Sequence, residues 1–321
     1  MSAPPAPARP SEGYGTHARK VLGLGLPLIG SHLAQMALQV TDAIMLGWYS
    51  VEALAAGVLG STIFFTFLMM GSGFAWAVMP MVAHAAAAGD ETALRRTTRM
   101  GLWLSLAFAA LVLPGMWFSG PILRALGQEA ALAALTQDYL RIAGFGLIPA
   151  LLVMVLKSHL AALERTRMVL AVTVAAAVVN VGVNWVFIFG NLGAPELGVR
   201  GAAIASVAVA MVSLGALALH AALAPGLRQH ALFVRLWRPD VVALRQVFRL
   251  GWPIGLTNLA ESGLFTASSL LMGWIGTLEL AAHGIALQIM SVLFMVQMGL
   301  SNAATVRAGR ALGAGDGPGL R

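Results

Sequence analysis

Two carboxylates stand where carboxylates are seldom left. Of thirteen acidic residues, only Asp42 and Glu261 fall well inside long apolar segments. A charge within a membrane helix costs roughly 2.5–3.5 kcal/mol on insertion scales, so such a side chain usually faces a cavity and serves a function. Asp42 ends a polar stripe: Ser31, Gln35, Gln39 and Asp42 recur at spacings of four, four and three, one face of a helix. Thr173, Asn180 and Asn184, spaced seven and four apart, form a second stripe, and Thr257, Glu261 and Ser268 share a third face. If the first two stripes face each other, they build a hydrated cation site in which Asp42, Asn180 and Asn184 could hold a sodium ion. A carboxylate so placed can carry a proton, bind sodium or pair with a cationic solute, but not all at once. That exclusion is a sufficient physical basis for antiport, with a proton or sodium ion as the coupling ion and no other cofactor. The plainer reading of the amides is interhelical hydrogen bonding, and of Glu261 a protonated acid engaged in such a bond.

Other chemistry finds little support. There is no cysteine, which excludes disulfides, thiol catalysis and cysteine metal sites. His32, His84, His159, His220 and His283 are scattered without metal-ligand spacing, and His283 reads as a packing residue. Gly71-Ser72-Gly73-Phe74 lacks the strand–turn–helix context of a nucleotide loop and fits close helix packing instead. No nucleophile–base pair is visible, so an enzyme is not expected. Among the sixteen methionines, Met36 and Met69, with Thr257 and Ser268, are candidates to line an adaptable substrate cavity.

The elements that must carry these residues are membrane spans. With 59% hydrophobic and 10% charged residues, and mean hydropathy +0.82, the chain could not cover its apolar surface in water. Segments of about 20 residues without charge are long enough to cross a hydrocarbon core. Hydropathy predicts eight spans, near 21–48, 53–86, 99–118, 139–162, 168–190, 201–224, 250–275 and 280–306. The net charge of +7 would suggest nucleic acid in a soluble protein, but its distribution points to a lipid bilayer. Of twenty Lys and Arg, all but Arg124, Arg141 and Arg200 fall on one side of this topology, which sets the N-terminus in the cytoplasm. Residues 1–20 read as a disordered tail. Residues 225–249, with Leu232, Phe233, Leu236 and Trp237 among arginines, read as a cytoplasmic linker bearing an interfacial amphipathic helix.

An internal repeat underlies the span pattern. A shift of 226 positions, the separation of Pro27 from Pro253, aligns the first span pair with the last without gaps. Gly25 meets Gly251, Gly47-Trp48 meets Gly273-Trp274, Gly73 meets Gly299, Gly89-Asp90 meets Gly315-Asp316 and Leu94-Arg95 meets Leu320-Arg321. Such duplication is common in secondary transporters, and an even number of spans per unit keeps the two halves parallel. The fold class expected is therefore an all-α polytopic membrane protein. A first six-helix lobe covers 21–224, and 250–321 begins a second lobe of which two helices are present, eight of an expected twelve.

The chain resembles the multidrug and toxic compound extrusion (MATE) family, in particular its bacterial multidrug-efflux branch. The matching stretches are 40–47 around Asp42, 180–190 with Asn180 and Asn184, 193–198 with Gly201 to Ala203, Glu261, and 281–287 leading to 303–309. Gly284 stands where the family often has glutamine, and Gln288 where it often has asparagine. The resemblance implies two six-helix lobes around a V-shaped cavity, export of organic cations or drugs against inward proton or sodium flow, a monomer, and the bacterial inner membrane. A second-lobe carboxylate found in many relatives would lie beyond Arg321. A lipid-linked oligosaccharide flippase of the same superfamily is the alternative, as is a non-transporting membrane fragment. The acidic character of the groups deep in the spans argues against the flippase.

Overall fold

Apolar runs of this length can satisfy their backbone in lipid only by closing hydrogen bonds within the segment, so helices follow. The computed structural model describes residues 14–234 and 236–317, and it is all-α there, with no strand among the described residues. The helices are α1 (Tyr14–Tyr49), α2 (Val51–Ala87), α3 (Glu91–Trp117), α4 (Ser119–Ala125), α5 (Ala130–Ala162), α6 (Thr166–Phe189), α7 (Val199–Leu223), α8 (Val241–Ile275) and α9 (Thr277–Gly313). Residues 1–13, Arg235 and 318–321 lie outside the described residues, and with them most of the expected tail and the Leu320-Arg321 end of the repeat. The side chains of Gly273-Trp274 and Gln288 are likewise outside them.

Local chemistry sets the helix starts. Ser50 alone separates α1 from α2, and its hydroxyl accepts from Ala53 N at 3.0 Å. Asp90 and Asp240 cap α3 and α8 in the same way, accepting from Ala93 N at 2.9 Å and Ala243 N at 3.0 Å. Each such cap satisfies an orphan amide and is worth about 1 kcal/mol. These caps explain why α3 and α8 begin eight or nine residues before the expected spans: a helix continues past the hydrocarbon until a cap stops it.

Helix α5 is the most enclosed element, packed by α2, α3 and α7, with Leu140, Leu147, Leu151, Leu156 and Leu160 almost fully buried. Helix α1 lies between α6 and α9, and α2 packs on α8. Small residues permit the closest approaches. A Cβ on Gly73 of α2 would stand 2.8 Å from Gly255 Cα of α8, and one on Gly299 of α9 would stand 2.7 Å from Ile29 N of α1.

Three expectations need correction. Residues 14–20 are the first turns of α1 rather than disordered tail, and His17 Nδ1 there lies 3.0 Å from Arg307 Nη2 of α9. Among its described residues the linker forms no interfacial helix before α8. It makes turns and one 3-10 turn (Arg228–His230) that dock on α3: Arg99 Nε donates to Leu232 O at 2.7 Å and Trp103 Nε1 to Leu236 O at 2.8 Å. Leu227 and Leu232 are buried, so these two face protein rather than lipid, while Val234 and Trp237 stay exposed. Helix α4 was not expected at all. Among the described residues, seven helices are long and apolar enough to cross a membrane: α1, α2, α3, α5, α6, α7 and the Ala282–Gly313 part of α9.

Candidate functional site

Helices α1, α6 and α7 bring four polar side chains together. Asn180 and Asn184 are one turn apart on α6, so both amides reach the same oxygen of α1: Nδ2 of Asn180 donates to Asp42 Oδ1 at 3.1 Å, and Nδ2 of Asn184 donates to it as well. The Asn184 amide also donates to Asn180 Oδ1 at 3.2 Å. Ser206 of α7 donates to Asp42 Oδ2 at 3.4 Å, and buried Tyr139 of α5 stands beside Ser206 and Asp42.

Asn180 and Asn184 are almost fully buried, at 1% and 0% exposure, so this polar nest is held by protein. One acceptor is left over: Asn184 Oδ1 is buried without a hydrogen-bond donor. A carboxylate and a spare amide oxygen at one place form an oxygen-rich donor set that suits a hard cation or a proton. Among the described residues no cluster of three or more histidines or carboxylates could hold a metal ion.

The remaining candidates divide. Ser31 and Thr173 do face each other across α1 and α6, hydroxyl to hydroxyl at 3.1 Å. Gln35 does not join Asp42; its Oε1 accepts from Lys157 Nζ of α5 at 2.9 Å. Gln39 is exposed and makes no hydrogen bond among the described residues. The α1 stripe is therefore real but does not converge, because its turns face α6 at Ser31 and Asp42 and α5 at Gln35. Met36 is half-buried. Met69 sits at the seam of α2 and α8, where its carbonyl accepts from Asn258 Nδ2 at 3.3 Å.

On α8, Glu261 is exposed and makes no hydrogen bond or ion pair among the described residues. Thr257 turns its hydroxyl to Pro253 O at 3.0 Å, and Ser268 Oγ lies 3.1 Å from Nε2 of His283, which ties α8 to α9. His283 thus has a polar partner as well as a packing place.

Tyr139 and Ser206 escaped the sequence reading. Ser206 and Ser213 lie seven apart in the otherwise apolar stretch of α7 between Arg200 and His220, a faint stripe of the kind that marked Asn180 and Asn184. Tyr139 stood at the edge of its expected span, which α5 extends back to Ala130.

Comparison with known proteins gives a consistent picture. The MatE family model matches residues 27–186 and 253–321. A probable multidrug resistance protein NorM of Rhizobium meliloti (strain 1021) is 46% identical over 314 residues, 98% of this chain and 67% of that protein. Its namesake in Agrobacterium fabrum is 47% identical over 301 residues, 94% of this chain and 65% of that protein. The chain thus spans about two-thirds of the length of these relatives. Among solved structures, the eukaryotic MATE transporter AtDTX14 superposes with a TM-score of 0.86 at 20% identity, over 97% of this chain and 68% of that one. A variant of the Vibrio cholerae MATE transporter VcmN gives 0.86 at 18% identity, over 96% and 68%.

Proposed function

The chain belongs to the MatE family and is a multi-pass membrane protein, and from that premise we propose that it exports cationic drugs in exchange for a proton or sodium ion bound at Asp42. One observation carries the reading: two buried amides from α6 converge on the single carboxylate of α1. Asn180 and Asn184 hold Asp42 in place, Ser206 touches its second oxygen, and the spare Asn184 Oδ1 completes a cradle for sodium. When the carboxylate is protonated or cradles sodium, its charge is neutralised and a cationic solute has no counter-ion there. When the ion leaves, the solute can be attracted in its place.

The contacts between α1–α2 and α8–α9 suggest how access alternates. They run through Ile29 and Gly299, His32 and Asn302 (3.2 Å), Gly73 and Gly255, and Ala83 and Gly309, with Arg310 and Glu164 closing the end at 3.3 Å. All lie in the arginine-rich half of the helices, which the positive-inside rule assigns to the cytoplasm along with the N-terminus. Asp42, Glu261 and Ser268 lie in the other half. This supports a cavity closed toward the cytoplasm and open outward, in the bacterial inner membrane, with α8 counted as the seventh of eight spans.

The same contacts support the repeat. Under the shift of 226, α1 on α9 maps to α8 on α2, and Gly299 against Ile29 maps to Gly73 against Gly255. Both pairs occur, as two parallel lobes related by an axis along the membrane normal require. The functional reading is tested in cells lacking their own efflux pumps. Expression of the protein should raise resistance to an organic-cation dye, and D42N should return it to baseline at equal membrane abundance. Equal resistance with D42N would remove Asp42 from the function.

A further inference from the structure

A cleft of about 590 Å³ opens at the arginine-rich end, between the start of α3 and the segment leading into α8, apart from the Asp42 site. Arg95, Arg96 and Arg99 line one wall, and Arg238 and Asp240 the other, so four guanidiniums face one carboxylate. Asp240 is already engaged: its Oδ1 caps Ala243 N at 3.0 Å and its Oδ2 receives Arg96 Nη1 at 3.0 Å. Arg99 fastens the linker through Leu232 O and, at 2.9 Å, Ala231 O. Arg95 and Arg238 make no hydrogen bond or ion pair among the described residues. Two guanidiniums with unspent donors therefore line one cavity, each with the planar fork that matches two oxygens of a phosphate.

The cleft's surroundings place it at a membrane surface. Trp103, one turn along α3 from Arg99, hydrogen-bonds the linker carbonyl of Leu236, and indoles favour the headgroup level. Trp237, Val241 and Val242 beside the cleft are exposed. Basic pockets between helices on the cytoplasmic face suit phosphate-bearing headgroups. We propose that this cleft is a phosphate site, in which Arg95 and Arg238 grip a phosphate-bearing anion and so link α3 to the entry of α8.

The test is native mass spectrometry of the protein in neutral detergent, titrated separately with phosphatidylglycerol, phosphatidylcholine and inorganic phosphate. Wild type should retain phosphatidylglycerol in preference to phosphatidylcholine. R95Q/R238Q should weaken that retention about thirtyfold, the effect of two basic residues near a membrane surface. R124Q, at the other end of the helices, should leave it unchanged. Retention of inorganic phosphate with the same dependence on Arg95 and Arg238, without preference among lipids, keeps the phosphate site and assigns it to a free anion. Unchanged binding of phosphatidylglycerol and inorganic phosphate in R95Q/R238Q, or equal retention of the two lipids by wild type with no retention of inorganic phosphate, overturns the proposal. The charge-retaining R95K/R238K pair guards against misfolding: without the guanidinium forks it should bind at an intermediate level, and wild-type binding by it would likewise overturn the bidentate site.

Discussion

Gly309 of α9 lies so close to Ala83 of α2 that a Cβ on the glycine would stand 3.1 Å from the alanine's own. These positions are 226 apart, so each residue touches its counterpart under the repeat, as two residues beside a pseudo-twofold axis would. The chain has no cysteine of its own, which makes the contact easy to test. A83C/G309C should form a disulfide on mild oxidation, seen as a reducible mobility shift, because the Cβ separation falls just short of the roughly 3.5–4.5 Å of natural bridges and a small shift of the helices closes the difference. A83C/G284C, whose second position is remote on α9, should not. Failure of the first pair to cross-link in membranes would contradict the closed arginine-rich end.

The glycine seam between α2 and α8 leaves no room for a side chain. In G73V the new atoms would meet the Gly251 carbonyl and the Gly255 backbone, which cannot swing aside as a flexible side chain would. Overpacking of this kind costs about 1–3 kcal/mol. The melting temperature of monodisperse protein in detergent should fall clearly. G263A, on α8 with nothing within 4 Å, should melt like wild type. Equal melting of G73V and G263A would mean that the seam is looser than described.

Much of this was legible in the sequence, and the misses have physical causes. Asp42, Asn180 and Asn184 could be paired from spacing alone, because two helical stripes of rare polar residues in lipid must find each other. Gln35 and Gln39 obeyed the same spacing, yet Lys157 took the first and none of the described residues took the second. Spacing fixes a face of α1; which neighbour covers each turn depends on tertiary packing. The linker was misread because Leu232 and Leu236 look like lipid-facing residues until Arg99 and Trp103 are seen to bind their carbonyls. Those partners are over a hundred residues away, beyond any local pattern.

The asparagines should be separable from the carboxylate they hold. N184A removes the amide that donates to both Asp42 and Asn180, and with it the spare oxygen; N180A removes one donor to Asp42 and the acceptor of the second Asn184 bond, but leaves the spare oxygen in place. Losing a buried partner costs about 1–3 kcal/mol, or roughly 5- to 150-fold in affinity for the coupling ion. N184A should therefore raise the half-saturating ion concentration more than N180A does, with the protein still folded. Equal, wild-type ion dependence in both variants would show that the amides merely hold helices together.

Glu261 presents the opposite case, an exposed carboxylate with no bond to break among the described residues. E261Q should leave melting unchanged. It should lower transport unevenly, most for substrates whose cationic group reaches α8. Parallel efflux assays on several organic cations distinguish this from a uniform loss, which would assign Glu261 to ion coupling instead.

The central claim is that Asp42 exchanges the ion that drives export. D42N keeps the shape and some hydrogen bonds but cannot release a proton or attract a cation. The direct measurement is efflux of a fluorescent organic cation from energised membrane vesicles, with imposed proton or sodium gradients, alongside an expression blot. One elementary charge is worth about 2.3 kcal/mol per 100 mV, so loss of the exchanging group should abolish the gradient dependence rather than weaken it slightly. The account predicts wild-type efflux that follows one of the gradients, and none above background for D42N at equal abundance. Undiminished, gradient-dependent efflux by D42N would contradict it.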